Sequence, residues 1–368
     1  MANNFPLLRN FSKDVIKSVF GITLDFGRQR ITPNELNMLC EFGNSKRLLE
    51  SFKEMKAGKI VNNSEKRAAL HTALRDPTLN SPFSKDIHQV LERVCTFATS
   101  VRDGVWRGAS GERISDVVNV GIGGSEVGPR MVYEALRSPN PDLKLHFLAA
   151  CDGITFDRIT SNLDPFKTLV VISSKSFNTQ ETLCNAKEMI SWLIESGIPN
   201  QDLCKHIVLV SANENAPNLF GLPLENFYPT WDWVGGRFSV WGAVGLPLAI
   251  ALGPQCFKNL LVGAYQMDNH ASSAPLRDNI PALLALFEYW NSNKLGVSSY
   301  CFLPYDERLR VMTTWLQQLE MESLGKSRSV EGEFVNEKTS LMVWGGARKR
   351  ITAFFFPMVE GRDRQYNY

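Results

Sequence analysis

The sequence predicts an α/β fold built on a parallel sheet covered on both faces, and two observations carry that reading. From residue 116 onward, short apolar runs rich in β-branched residues recur at 117–120, 145–148, 169–172 and 207–210. Amphipathic stretches at 128–137, 156–162 and 180–195 separate them. Strand, helix, strand at this spacing implies right-handed crossovers and parallel pairing.

The remaining elements follow from the same periodicities. Residues 1–100 lean helical, as at 34–42, and hold no strong strand runs. The apolar run 238–253 contains Pro247 and is too short to span a membrane, so it predicts a buried helix. A second, shorter α/β unit starts near 281, with a helix through Trp290, a strand at 298–303, a helix over 307–324 and a strand at 341–344. The expected organisation is a mostly helical segment at 1–100, a first α/β domain at 101–255, the start of a second at 256–345, and a tail at 346–368.

Composition narrows the function classes. At 368 residues and 44% hydrophobic, the chain can bury more than one core. A net charge of +2 argues against nucleic acid or a membrane surface as partner. The seven cysteines, at 40, 95, 151, 184, 204, 256 and 301, include no Cys-x-x-Cys. That pattern predicts reduced thiols in a cytosol, with neither a disulfide framework nor a zinc site. The N-terminal residues lack the basic flank and apolar core of a secretory signal.

Three stretches carry chemistry. Trp231-Asp-Trp-Val-Gly-Gly-Arg-Phe-Ser-Val-Trp-Gly-Ala-Val-Gly245 sets Arg237 directly after Gly235 and Gly236. The glycines are expected to adopt φ values other residues avoid and to let the backbone approach a ligand closely. Arg237 then presents a planar fork suited to an oxyanion, or alternatively caps carbonyls near a buried helix. Gly121-Ile-Gly-Gly-Ser-Glu-Val-Gly128 follows the first strand, but Glu126 occupies the third glycine position of a dinucleotide fingerprint and a Walker lysine is absent. It reads as a turn that aims backbone N–H groups and Ser125 at an anion. Ser173-Ser-Lys-Ser-Phe-Asn-Thr-Gln-Glu-Thr182 follows the third strand and gathers hydroxyls around Lys175. Phosphate binding and ordinary helix capping by Asn178 and Glu181 both fit it. In Gln317-Gln-Leu-Glu-Met-Glu-Ser-Leu-Gly-Lys326, Glu320 and Glu322 point to different sides of a helix. A carboxylate beside an arginine and a sugar phosphate suits proton abstraction next to a carbonyl.

Together these stretches resemble the phosphoglucose isomerase family. Arg67-Ala-Ala-Leu-His-Thr-Ala-Leu-Arg75, Arg102-Asp-Gly-Val-Trp-Arg-Gly108, Leu303-Pro-Tyr305 and Met321-Glu-Ser-Leu-Gly-Lys326 extend the match in order to Trp344. The resemblance implies two doubly wound sugar-isomerase (SIS-type) domains with extra helices, the second incomplete. It implies interconversion of D-glucose 6-phosphate and D-fructose 6-phosphate through an enediolate, in glycolysis and gluconeogenesis in the cytoplasm. No cofactor or metal is implied, and the family is typically a homodimer. Glu322 becomes the base, Arg237 the enediolate stabiliser, and Gln318 a substrate contact. Gly124, Ser125, Ser174, Lys175, Ser176 and Thr179 become the phosphate-binding set, with serine at 176 where threonine is commoner. A remnant that binds a phosphosugar without turning it over is the alternative reading.

The tail departs from the family pattern. The resemblance implies a ring-opening histidine in a Gly-Gln-His segment and a lysine in a Gln-x-Gly-Val-Glu motif, and neither follows Trp344 here. Reading codons 351–359 one nucleotide later permits a Gln-His-containing segment, so a frameshift after about residue 345 is expected. Weak or absent turnover and poor solubility are the expected consequences, because an apolar segment at 351–358 joins exposed strand edges.

Overall fold

The computed structural model describes residues 7–10 and 14–346, so the expectations for the tail beyond 346 lie outside the described residues. The N-terminal part holds two short hairpins as well as helices. Strand β1 (Ile16–Val19) pairs antiparallel with β2 (Ile22–Asp25) across Phe20 and Gly21, both at positive φ. Helix α1 (Pro33–Ser45) opens on a capping box, in which Thr32 Oγ1 accepts from the Glu35 N–H and the Glu35 carboxylate accepts from the Thr32 N–H. Helix α2 (Leu48–Lys56), strands β3 (Ile60–Asn62) and β4 (Arg67–Ala68), and helix α3 (Ser84–Arg102) follow. The strands are two to four residues long and mostly exposed, which is why no apolar alternation announced them.

The central sheet is the one that the four apolar runs predict, with a fifth strand added. Its elements are β5 (Asp116–Val120), α4 (Val127–Leu136), β6 (Lys144–Leu148), α5 (Gly153–Thr160), β7 (Thr168–Ser173), α6 (Gln180–Glu195), β8 (Ile207–Ser211), α7 (Ala216–Phe220) and β9 (Phe227–Pro229). All strands pair in parallel, in the order β6-β5-β7-β8-β9. Strand β9 escaped prediction because it has three residues and ends on a proline, as only an edge strand tolerates.

Alternation along the strands separates two cores. Val117, Leu145, Leu169, Val171, Val208 and Val210 face one side, where they pack with residues of α3, α4 and a later helix, α8 (Leu246–Leu252). Val118, Val120, Val170, Ile172, Ile207 and Leu209 face the other side, toward Phe156 of α5, Met189 and Leu193 of α6 and Ala216 of α7. Both faces are therefore apolar, and the strands read as continuous hydrophobic runs. Because β5 lies between β6 and β7, chain direction across the sheet reverses there. This is the switch point beyond whose carboxyl ends ligands bind in open parallel sheets.

Two predicted helices differ from expectation. Pro247 does not sit inside a long helix; it starts α8, after the 3₁₀ turns Gly236–Trp241 and Ala243–Gly245. After α9 (Pro254–Ser273), α10 (Ile280–Asn293) and β10 (Ser299–Phe302), the segment predicted as one helix over 307–324 is interrupted. A 3₁₀ turn at Glu307–Leu309 precedes α11 (Met312–Leu316), which runs into a π-helical stretch at Gln317–Glu322. Strand β11 (Met342–Gly345) then pairs in parallel with β10.

Candidate active site

The site is built where the turns after β5 and β7 meet the glycine-arginine stretch. In the turn Gly123–Ser125, a Cβ at Gly124 would stand 2.1 Å from the carbonyl carbon and oxygen of Gly236 and 2.7 Å from the Arg237 nitrogen. Only glycine allows two backbones to stack at this distance. Gly235 and Gly236 do not adopt the φ values predicted for them. Neither has positive φ, and a Cβ on Gly236 would enter open space. The close approach is made at Gly124, and Gly236 is the surface it approaches.

Arg237 lies at the centre. Its Nε donates to Ser323 Oγ at 2.7 Å and its Nη1 to Glu322 Oε1 at 2.8 Å. The carbonyl-capping alternative for Arg237 is thus not what this side chain does. Lys175 caps carbonyls instead, donating from Nζ to the Asp232 oxygen at 2.8 Å and the Val234 oxygen at 3.1 Å. Burial pushes the Lys175 ammonium below the usual lysine range. These bonds tie the turn after β7 to the loop that delivers Gly236 and Arg237.

The remaining predicted residues surround this junction. Asn119 Nδ2 donates to the Ser125 carbonyl at 3.0 Å and fixes the first turn. Ser174 Oγ accepts from the Phe177 N–H at 3.1 Å, and Ser176 Oγ accepts from the Asn178 N–H at 3.3 Å. Phe177 holds a left-handed φ of 52° with its ring buried against Phe220, a conformation uncommon for a non-glycine residue. Helix α6 does not begin with a box from Asn178 and Glu181. Thr179 is its N-cap residue and makes no side-chain capping bond. Helix α4 also starts without a side-chain cap, at Glu126. Both helix starts therefore leave N–H groups for an anion.

Gln318 and Glu322 come from the π-helical stretch, a form concentrated at functional positions. Gln318 reaches the first turn, since a Cβ at Gly123 would lie 3.3 Å from its Nε2, and its Oε1 is buried with no hydrogen-bond partner. Glu322 keeps about half of its side chain exposed at 53%, against 23% for Arg237. As expected, Glu320 points elsewhere. It lies beside Tyr300, and burial, with the Glu288 charge adding, raises its pKa above the usual carboxylate range.

Two participants were not singled out from sequence. Ser323 holds the Arg237 guanidinium from the far side and follows Glu322 directly, which was the available signal. The His71 ring stacks on Phe238 with centroids 4.5 Å apart. Burial first, then the Arg75 and Arg237 charges, depress its pKa to about 3, so it is a neutral group beside the guanidinium. Among the described residues no group of three or more His, Cys, Asp or Glu side chains is arranged to hold a metal ion. No helix among them is long and apolar enough to cross a membrane.

Comparison with known proteins identifies the family of this chain. The family model for phosphoglucose isomerase matches residues 25–361. The glucose-6-phosphate isomerase of Burkholderia multivorans is 43% identical over 340 residues, covering 92% of this chain and 63% of its own length. That of Paraburkholderia phymatum is 42% identical with the same coverage of 92% and 63%. The chain thus spans under two thirds of the length of these curated relatives. The crystal structure of a glucose-6-phosphate isomerase from Chlamydia trachomatis superposes with a TM-score of 0.85 at 30% identity, over 95% of this chain and 68% of that one. A hypothetical protein from Thermus thermophilus superposes with a TM-score of 0.67 at 25% identity, over 90% and 71% of the two chains. Sequence, fold and matched interval agree, and the chain belongs to the phosphoglucose isomerase family.

Proposed function

We propose that this chain interconverts D-glucose 6-phosphate and D-fructose 6-phosphate by proton transfer through an enediolate. The observation that carries the proposal is the Arg237–Glu322 pair at 2.8 Å, set against the two uncapped helix starts. A base and a fixed cation at this separation suit a reaction in which a proton leaves carbon while negative charge grows on the neighbouring oxygen. Glu322 carries the proton between C1 and C2. An arginine has five donors, and the two used on Glu322 and Ser323 fix its plane beside the substrate oxygens. Gln318 Oε1, buried and unpartnered, accepts from a sugar hydroxyl.

The phosphate lies between Gly124, Ser125, Ser174, Ser176 and Thr179. Lys175 contributes one of its three donors, the other two being held by the Asp232 and Val234 carbonyls. By the family resemblance the chain works in the cytoplasm, in glycolysis and gluconeogenesis, and pairs with a second copy. The proposal is tested by titrating the purified chain with fructose 6-phosphate and with fructose. Binding of the phosphate ester alone is expected. Equal affinity for both would overturn the assignment of these turns.

A further inference from the structure

Strand β6 ends at Leu148, and the turn after it runs alongside helix α6. Asn185 donates from Nδ2 to the carbonyl oxygens of Ala149 at 3.4 Å and Ala150 at 3.2 Å. These bonds fasten the residue before Cys151 to the residue after Cys184. The two thiols are therefore neighbours across this junction, and both residues are exposed. The other five cysteines are buried or half-buried. Neither thiol takes part in the proposed isomerisation.

We propose that Cys151 and Cys184 are a redox modification site, closing to a reversible intramolecular disulfide when the folded chain meets a peroxide. One thiolate attacks the O–O bond, giving a sulfenic acid and releasing one peroxide oxygen as hydroxide, which is protonated to water. The second sulfur attacks the sulfenic sulfur, the S–S bond forms, and the hydroxyl leaves as water with the remaining thiol proton. Two electrons pass from the two sulfurs to the peroxide, and a dithiol reductant reverses the step.

The surroundings set the rate. The neighbouring Cys184 thiol raises the Cys151 thiol above its usual range, and slight desolvation and the Glu181 and Glu188 carboxylates add to the shift. Closure is therefore slow near neutrality and quickens as pH rises and thiolate forms. The crosslink would bind the turn after β6 to α6, whose N-terminus follows the serine-rich turn.

The test is peptide mapping of the folded chain after hydrogen peroxide, with alkylation of remaining thiols and tryptic digestion. The expected product links the peptide 145–158 to the peptide 176–187, disappears on reduction, and forms faster at higher pH. It should be missing from Cys151→Ser and from Cys184→Ser. The inference fails if no crosslink forms, if other cysteines pair instead, or if chain unfolded in urea gives the same pairing in equal yield.

Discussion

At the residue scale, one arginine organises three separate parts of the sequence. Arg237 takes its backbone position from Gly236, which Gly124 can approach only because it lacks a side chain. Its guanidinium is then held by Ser323 and Glu322. Lysine at 237 keeps the charge but not the planar fork. Arg237→Lys is expected to slow proton transfer on the order of 10²-fold, the usual cost of one charge-stabilising donor, measured as solvent exchange of the substrate carbon-bound proton. The two glycines should respond in opposite ways. Gly124→Ala drives a methyl into the Gly236 backbone and is expected to cost about 1–3 kcal/mol of stability. Gly236→Ala meets nothing within 4 Å, so its unfolding free energy should stay within about 0.5 kcal/mol of the unmodified chain while sugar-phosphate binding weakens. Urea denaturation and titration of each variant check both outcomes. Arg237 and its glycines were legible in the sequence, but the φ values expected of Gly235 and Gly236 are not adopted. The contact that requires a glycine joins positions more than a hundred residues apart, and no local pattern reveals it.

At the scale of elements, the π-helical stretch Gln317–Glu322 does most to shape the site. Gln317 Nε2 donates to the Val343 carbonyl at 2.9 Å, and Glu320 reaches Tyr300, so two side chains of the stretch grip the β10–β11 pair. Gln318 and Glu322 are left facing the glycine turns. The periodicity of residues 307–324 predicted a regular helix, because one widened turn barely changes where apolar residues recur. The separation of Glu320 from Glu322 was nevertheless legible, since a two-residue offset sends side chains apart in either helical form. Burial raises the Glu320 pKa above its unfolded value near 4.5. Folding therefore takes up a proton between those two values, and stability falls as pH rises through that window. Glu320→Gln removes this dependence and leaves that of Glu288 in place. The variant is expected to be more stable than the unmodified chain above the window, with the difference shrinking below pH 4.5. Urea denaturation at a series of pH values reads the difference directly.

Across the whole molecule, the two parallel sheets are unequal. Strands β5, β7 and β8 are buried along their whole length, and the sheet they form was legible because both faces are apolar. The β10–β11 pair is two-stranded among the described residues, and parallel pairs of that size gain little from their own hydrogen bonds. Its amides should exchange with solvent by local opening, on the order of 10³-fold faster than those of β5 and β7. Hydrogen exchange followed by mass spectrometry checks this, and equal protection would show that the smaller pair is as firmly held as the larger sheet. Because that pair anchors the stretch carrying Glu322, its mobility bears on the proposed base, where a displacement of about 1 Å can cost on the order of 10²-fold in rate. The central chemistry is read most directly by exchange of the C1 proton of fructose 6-phosphate with solvent deuterium, which reports proton transfer apart from ring opening. The unmodified chain is expected to exchange that proton, with Glu322→Gln slower by about 10²-fold or more. Exchange that is absent from both proteins, or equal in both, would contradict the role of Glu322 as the base.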